Sequence, residues 1–475
     1  MNKYSLKNKK ITIMGLGLHG GGLGVAKYLV RSGAKLLISD IKTKKELKPS
    51  LDQLKDFPNI SYHLGGHSWN DFKNADMVFV NQAVNLHSPI IRKIKKARIP
   101  ISNEMILFFE LCPSQIIGVT GTNGKSTTVQ LIYEILKNNF NPQNRKIYLG
   151  GNIGISLLEQ VEEMAEKDLV ILELSSFQLE FLTLIKKSPH ISIILNITPD
   201  HLDKHRNLEE YIEAKKNIIR FQNHEDFAIL NYDDQNVKRF AKSTKAKILY
   251  FSRKLNQKSG SFLRNDYFWT NFRGNLKQYS KKQKIKIIGE HNYENILASI
   301  LVGAIYNVKS DIIKQVLKNF RGLPHRIQYV KKINGVKYFN DSKATTPIST
   351  VAALNSFDKK VILLAGGFDK KLELEKLAKE IINHSKTIIL FGEMAKRLEK
   401  TILRIQSKFF PNEDLPIFQV NDLEKAVKKA YQISESSDIV LLSPSTSSLD
   451  QFRDFEERGK KFCLIVRKLA KEKGE

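Results

Sequence analysis

Cysteine is nearly absent: Cys112 and Cys463 are the only two in 475 residues. Two thiols with no CxxC spacing exclude a cysteine-built metal cluster, and a reducing cytoplasm is the expected compartment. Long hydrophobic runs are missing too. No stretch approaches the length of a membrane span, and the apolar run in MNKYSLKNKKITIMGLG is too short for the core of a signal peptide. Acidic residues are in deficit, with 49 Asp and Glu against 77 Lys and Arg and a formal net charge of +28. Such an excess suits polynucleotide phosphates. The cations are nevertheless spread along the chain and interleaved with acids, and no helix-turn-helix, zinc-finger or RRM signature accompanies them. The expectation is therefore no nucleic-acid partner, with most lysines on solvated faces and a basic surface that draws anionic small molecules. No repeat of solenoid period is present, and the only biased tract is a lysine-rich tail.

What is present is a series of short buried-strand patterns, each followed by a helical one. The length suggests about three domains. Ile11–Met14 runs into GLGLHGGGLG, a helix is expected from about Val25 to Ser32, and a second strand, Leu36–Ser39, ends at Asp40. Gly15, Gly17 and Gly20 satisfy G-x-G-x-x-G, and Asp40 stands where such Rossmann-type openings place an acid against a ribose. A second series begins at Ile116 and continues through apolar runs at 146–149, 169–174 and 191–197. Between Arg253 and Lys286 the pattern becomes that of a small antiparallel excursion or long loops. Gly322-Leu323-Pro324 reads as a hinge. Beyond it, strands are expected at 336–339, 361–365, 387–391 and 439–442, with a helix at 372–382. The fold class is α/β, with parallel doubly wound sheets in all three domains: Rossmann-like at both ends and a P-loop-type nucleotide-binding domain in the centre.

The segment Ile116-Ile117-Gly118-Val119-Thr120-Gly121-Thr122-Asn123-Gly124-Lys125-Ser126-Thr127 is a strand, a glycine turn and the start of a helix. Turn N–H groups and a helix N-terminus suit phosphate oxygens, Lys125 supplies a point charge, and the Ser126 hydroxyl suits magnesium. Gly121, Thr122, Asn123, Gly124, Lys125, Ser126 and Thr127 are thus the expected phosphate-binding residues for ATP or GTP. The spacing is a variant, because Val119 stands where the strict P-loop has glycine, with Gly118 and Gly121 displaced around that place. Glu173 ends an apolar strand beside Ser175 and Ser176, a costly position for a charge unless a cation pairs it. His201 lies in a polar cluster at the end of the next strand, and Lys215, within NLEEYIEAKKNIIRF, reads on its own as a solvated lysine. Arg326 follows the hinge, Asp341 and Lys343 follow a strand, and the hydroxyl-rich segment 443–448 follows another, where N–H groups would suit a carboxylate ligand.

GVTGTNGKST, GGNIG, LELSSFQLE, NITPDHLD, GEHNYEN, GLPHR, NDSKAT and LSPSTSSLDQFRDFEERG occur in one order along nearly the whole chain. In this the sequence resembles the Mur ligase family, and SSFQLE and SLDQF favour its D-glutamate-adding branch; no DNPR segment of the kind found in another branch is present. The resemblance implies three domains: residues 1–111 binding a UDP-linked substrate, 112–322 binding ATP, and 323–475 closing on ATP and the amino acid. It implies an ATP-dependent ligase, working as a cytoplasmic monomer, that joins D-glutamate to UDP-N-acetylmuramoyl-L-alanine through an acyl phosphate in peptidoglycan precursor synthesis. It further implies Lys125, Glu173, His201 and Lys215 as catalytic residues. Ser126 and Glu173 would hold one Mg2+, and His201 with a carbamylated Lys215 a second. Asn295, Arg326 and Asp341 would contact the nucleotide. Leu18, His19, Asp40, Asn152, Ser175, Lys343, Thr345, Lys370, Ser448 and Phe455 would contact the other substrates.

The chain departs from the family at two places around the expected uridine pocket. Relatives commonly have Ser-Pro-Gly where this chain has Asn81-Gln82-Ala83, and Thr-Arg where it has Ile41-Lys42. Two other classes compete. A nicotinamide-dependent oxidoreductase rests on the G-x-G-x-x-G alone and leaves the P-loop unexplained. A basic nucleic-acid-stimulated ATPase predicts steeply salt-dependent polynucleotide binding.

Overall fold

A computed structural model describes residues 6–18, 21–82, 84, 88–152, 156–198, 207–256 and 259–472. The chain divides into two compact units, 1–284 with 291–318, and 285–290 with 319–475.

The first unit carries two sheets. Strands β1 (Lys10–Met14), β2 (Lys35–Asp40), β3 (Ile60–Leu64), β4 (Met77–Val80) and β5 (Ile101–Ser102) form a parallel sheet ordered β3-β2-β1-β4-β5. The order reverses at β1, so the crevice beyond its carboxyl end is where open α/β sheets bind ligands. The second sheet has nine strands: β6 (Gln115–Thr120), β7 (Ile147–Gly151), β8 (Leu169–Glu173), β9 (Ile191–Ile194), β10 (Phe227–Asn231), β11 (Lys247–Ser252), β12 (Gly260–Arg264), β13 (Tyr267–Phe272) and β14 (Asn275–Lys281). Their order is β14-β13-β12-β11-β10-β9-β6-β8-β7, with β12 to β14 antiparallel. That edge is the antiparallel excursion expected from residues 253–286. The core strands β8, β9 and β10 are buried throughout, which explains why they read as continuous apolar runs rather than alternating ones.

The second unit has β15 (Gln328–Ile333), β16 (Val336–Asn340), β17 (Val361–Gly366), β18 (Ser385–Phe391), β19 (Ile417–Gln419) and β20 (Ile439–Leu442), ordered β15-β16-β20-β17-β18-β19. Only the β15–β16 pair is antiparallel. The carboxyl ends of β16, β20 and β17 therefore lie side by side.

Two local readings change. The first helix spans Gly21–Arg31 rather than starting near Val25. Its glycines are there for close approach: a Cβ on Gly22 would lie 2.3 Å from the Leu16 carbonyl oxygen, and one on Gly24 would lie 2.4 Å from Ser156 Oγ. Gly118 is likewise no part of the phosphate turn. It sits within β6, where a Cβ would meet Pro189 at 2.5 Å and Leu174 at 2.9 Å.

Candidate functional site

The strand β6 delivers the chain into a turn whose last residue, Gly124, has φ +87° and opens the helix Lys125–Lys137. Asn196, just past β9, clamps this turn: its Oδ1 accepts from Asn123 N at 2.8 Å and its Nδ2 donates to Asn123 O at 3.2 Å. Thr122 Oγ1 accepts from Thr198 N at 3.0 Å, and Thr122 N donates to Asn196 O. Lys125 Nζ donates to Gly121 O and Thr122 O, both at 2.9 Å. Asn295, expected to contact nucleotide, packs on the turn from the helix His291–Ile305 and accepts from Thr128 Oγ1 at 3.2 Å.

Gly124 is fixed by both conformation and space. A Cβ there would lie 2.2 Å from Asn295 Oδ1, and left-handed backbone costs a substituted residue about 1–3 kcal/mol. Gly124→Ala is expected to weaken ATP binding at least about tenfold, because one or two kcal/mol already spans that factor, and to lower the unfolding temperature. ATP titration and thermal unfolding measure the two effects.

Strand β8 pairs directly with β6, Val119 opposite Glu173, which places the carboxylate of Glu173 beside the turn. Ser126 Oγ donates to Glu173 Oε2 at 2.6 Å, and Asn152 Nδ2 donates to Oε1 at 3.3 Å. Lys125, Ser126, Glu173 and Asn152 are thus gathered at one end of one sheet. Lys215, which its sequence context alone would leave on a solvated face, is only 1% exposed. Its Nζ donates to Gly121 O at 3.0 Å, approaches Thr120 Oγ1 at 3.5 Å and stands 4.5 Å from the centre of the Tyr211 ring. Ser175 is a helix cap: its hydroxyl accepts from Gln178 N at 3.3 Å, and Gln178 Oε1 accepts from Ser175 N at 2.9 Å. His19 and His201 lie outside the described residues. Among the described residues no group of three or more His, Cys, Asp or Glu gathers as a metal site. The Ser126 hydroxyl and Glu173 carboxylate are hard oxygen donors of the kind magnesium takes, usually with phosphate and water completing its shell.

A cavity of about 530 Å³ opens at the end of the first sheet, lined by Gly15, Leu18, Asp40 and Gln178 among others. The Asp40 carboxylate organises the glycine turn: Oδ2 accepts from Leu16 N at 2.8 Å and Gly17 N at 3.2 Å, and Oδ1 from Lys42 N at 2.9 Å. The departing residues Ile41, Lys42, Asn81 and Gln82 line the same cavity.

In the second unit, Asp341 ends up buried just past β16. Ser443 Oγ donates to its Oδ2 at 2.8 Å and Ile327 N to its Oδ1 at 3.2 Å. Burial pushes its carboxyl up to about 7, with Ser443, Ile327 N–H and nearby Arg326 only partly offsetting the rise. The folded state therefore holds this proton above the ordinary value of 3.8, and the linked stability falls as pH rises from about 4 to about 7. In Asp341→Asn that fall is expected to vanish, so the variant gains on the parent as pH rises. Urea unfolding of the full chain at pH 5 and 8 measures it.

Lys370 Nζ lies 3.4 Å from Thr345 O, and Lys343 Nζ lies 5.3 Å from the centre of the Phe455 ring. Ser448 is buried nearby in the loop after β20. Beneath them lies Arg458, a residue the sequence reading missed, which is fully buried on the helix Phe455–Glu472. Its guanidinium donates to Ser342 Oγ, Ser342 O and Thr446 O at 3.0, 3.0 and 3.1 Å, tying together the loops after β16 and β20. Burial lowers its pKa to about 10, and burial followed by the charge of Arg458 lowers that of Lys370. The Ser447 hydroxyl, in the same loop as Ser448, is buried with no partner among the described residues. Concentrated positive charge and an unmatched buried hydroxyl suit an anionic ligand.

A phosphate-type turn with a carboxylate beside it, at the carboxyl edge of a mostly parallel sheet, suits phosphoryl transfer from a nucleotide, and the chain belongs to the Mur ligase family of ATP-dependent ligases. Family models described as "Mur ligase MurD-like, N-terminal domain", "Mur ligase middle domain" and "Mur ligase, glutamate ligase domain" match residues 9–103, 119–303 and 325–446. The chain is similar to the UDP-N-acetylmuramoylalanine–D-glutamate ligase of Acetivibrio thermocellus, with 41% identity covering 98% of this chain and 97% of that one. It is also similar to the enzyme of the same name from Clostridioides difficile, with 40% identity covering 96% and 98%. Two solved structures share the fold. One is the UDP-N-acetylmuramate-alanine ligase of Thermotoga maritima, 20% identical with TM-score 0.58, covering 97% of this chain and 100% of that one. The other is a MurF ligase of Thermotoga maritima in complex with ADP, 17% identical with TM-score 0.56, covering 99% and 97%.

Proposed function

We propose that this enzyme joins the amine of D-glutamate to the carboxylate of UDP-N-acetylmuramoyl-L-alanine at the expense of ATP. The observation that carries the reading is the contact of Ser126 with Glu173 beside the Lys125 turn, because it assembles a phosphate cradle and a cation-binding acid in one place. The names of relatives matched over nearly the whole chain support the choice of substrates.

A carboxylate is a poor acyl donor. One of its oxygens attacks the γ-phosphorus of ATP, the bond to the β-bridging oxygen breaks, and ADP leaves. The amine then attacks the carbonyl carbon of the acyl phosphate, expelling inorganic phosphate and releasing a proton as the amide forms. Lys125 and the N–H groups of the turn offset charge on the transferring group, so the work of the protein is positioning and electrostatic stabilisation. Ser126 and Glu173 are the residues that would hold magnesium, which neutralises phosphate charge when bound. In this reading Asn152 orients Glu173 and the reacting end of the substrate, and His201 with Lys215 completes the catalytic set. Asn295, Arg326 and Asp341 serve the nucleotide. Lys343, Thr345, Lys370, Ser448 and Phe455 serve the amino acid, held over the buried charge of Arg458.

Phosphate release with UDP-N-acetylmuramoyl-L-alanine and a panel of amino acids tests the assignment. D-glutamate is expected to stimulate release above all others; stimulation by a different amino acid alone would redirect the substrate, and stimulation by polynucleotide would favour the basic ATPase.

A further inference from the structure

His67 lines the 530 Å³ cavity of the first sheet and has no part in the phosphate chemistry. Its Nδ1 lies 2.8 Å from Ser39 Oγ, at the end of β2, and Ser39 Oγ donates to Asp71 Oδ2 at 2.8 Å. Asp71 Oδ2 also accepts from Ser68 N at 2.8 Å and meets His63 Nδ1 at 2.7 Å. Burial would raise the carboxyl of Asp71, but Ser68, His63 and Ser39 outweigh it, and the group sits below its ordinary range. It is therefore an ionised carboxylate that only accepts.

The network fixes the tautomer. A hydroxyl has one hydrogen, and Ser39 spends it on Asp71. Ser39 Oγ must then accept from Nδ1–H of His67, so the neutral ring carries its proton on Nδ1 and a bare lone pair on Nε2. Burial lowers the pKa of His67 against the opposing charges of Asp40 and Asp71, which keeps the ring neutral near pH 7. Nε2 makes no hydrogen bond among the described residues, and His67 is one of the residues that line the cavity.

The strand order says what reaches it. Phosphates belong at the glycine turn after β1 and the start of helix Gly21–Arg31. His67 follows β3 and folds back to Ser39 on β2, one to two strand spacings away, roughly 5–10 Å. That is the span of a ribose, and it leaves the base beside His67. Asp40 already accepts from three backbone N–H groups of the glycine turn and its flank, whereas Nε2 of His67 has no hydrogen-bond partner among the described residues.

We propose that His67 selects the base of the nucleotide-linked substrate, its Nε2 accepting the imide N–H of uracil, a donor that cytosine lacks at that position. The proposal rests on the reading that a uridine diphosphate moiety enters this cavity. Equilibrium binding of UDP, CDP and 3-methyluridine diphosphate to the full chain, with ATP binding as a folding control, tests it. The parent is expected to prefer UDP over both analogues by about tenfold, since an unpaired polar group in such a pocket costs on that scale. His67→Phe should lose the preference while ATP affinity is unchanged. His67→Gln, which offers an amide oxygen near the place of Nε2, should restore most of it, and Ser39→Ala should weaken it. A parent that binds 3-methyluridine diphosphate as well as UDP, or a Phe variant with undiminished preference, overturns the proposal. Should the Phe variant not fold, an undiminished preference in Ser39→Ala overturns it instead. No UDP binding by the parent at all would overturn the cavity assignment itself.

Discussion

Lys125→Ala is expected to lower turnover by at least about a thousandfold, which corresponds to roughly 4 kcal/mol of lost transition-state stabilisation. The structure holds Nζ against the Gly121 and Thr122 carbonyls, within the turn itself. The ammonium is therefore stationed at the turn before phosphate arrives, and a charge already in place costs little reorganisation as the γ-phosphoryl moves. The variant should fold normally, because the helix Lys125–Lys137 is seated by Thr127, Val129, Leu131 and Ile132 on its buried face rather than by this side chain. It should also still bind UDP at the first sheet. Single-turnover phosphate release with saturating substrates separates chemistry from binding. A variant that kept a tenth of the parent rate would remove the turn from the reaction.

The parts of this site that could be read from the chain are those where local sequence dictates local geometry. An apolar strand, a glycine turn and Gly-Lys-Ser shape a turn that opens a helix, the local geometry that suits phosphate, and Glu173 declared itself as a charge ending an apolar strand. What stayed hidden depends on partners distant in sequence. Gly21, Gly22 and Gly24 look like a loop because glycine disfavours helix, yet they lie within the helix, where Glu104, Leu16 and Ser156 leave no room for a Cβ. Gly118 looked like part of the turn until Pro189 and Leu174 were brought over it. Ser175 is expected to contact substrate, and Gln178 three residues on marks it also as the start of a capping box, which the structure shows. Arg458 could have been found. It falls on the stripe formed by Gly459, Phe462, Ile465 and Val466, all buried, where a cation has no place unless the fold supplies carbonyls to receive it. His67 gave no such sign, since its tautomer is set by Ser39 and Asp71 from two other segments.

Lys215→Ala is the second large effect expected, a loss of about a hundredfold or more that short carboxylates such as formate or acetate largely restore, given the scale set by single electrostatic groups in active sites. A lysine that is 1% exposed is out of place as an ordinary surface cation, because burial disfavours the ammonium form. A neutral amine is also the form that adds carbon dioxide, and the resulting carbamate would convert a donor into a pair of oxygens close to Gly121 and Thr120. The two states predict opposite rescue. If Lys215 works as an ammonium, holding Gly121 O by the bond seen at 3.0 Å, small amines should restore the Ala variant and carboxylates should not. If it works as a carbamate, carboxylates restore it, amines do not, and the parent loses activity when depleted of carbon dioxide and regains it with bicarbonate. Lys215→Arg discriminates as well, since it keeps a positive charge but forms no stable carbamate: it should stay inactive in the second case. Full activity of Lys215→Ala with no additive would exclude both roles and leave this side chain as packing between Tyr211 and the phosphate turn.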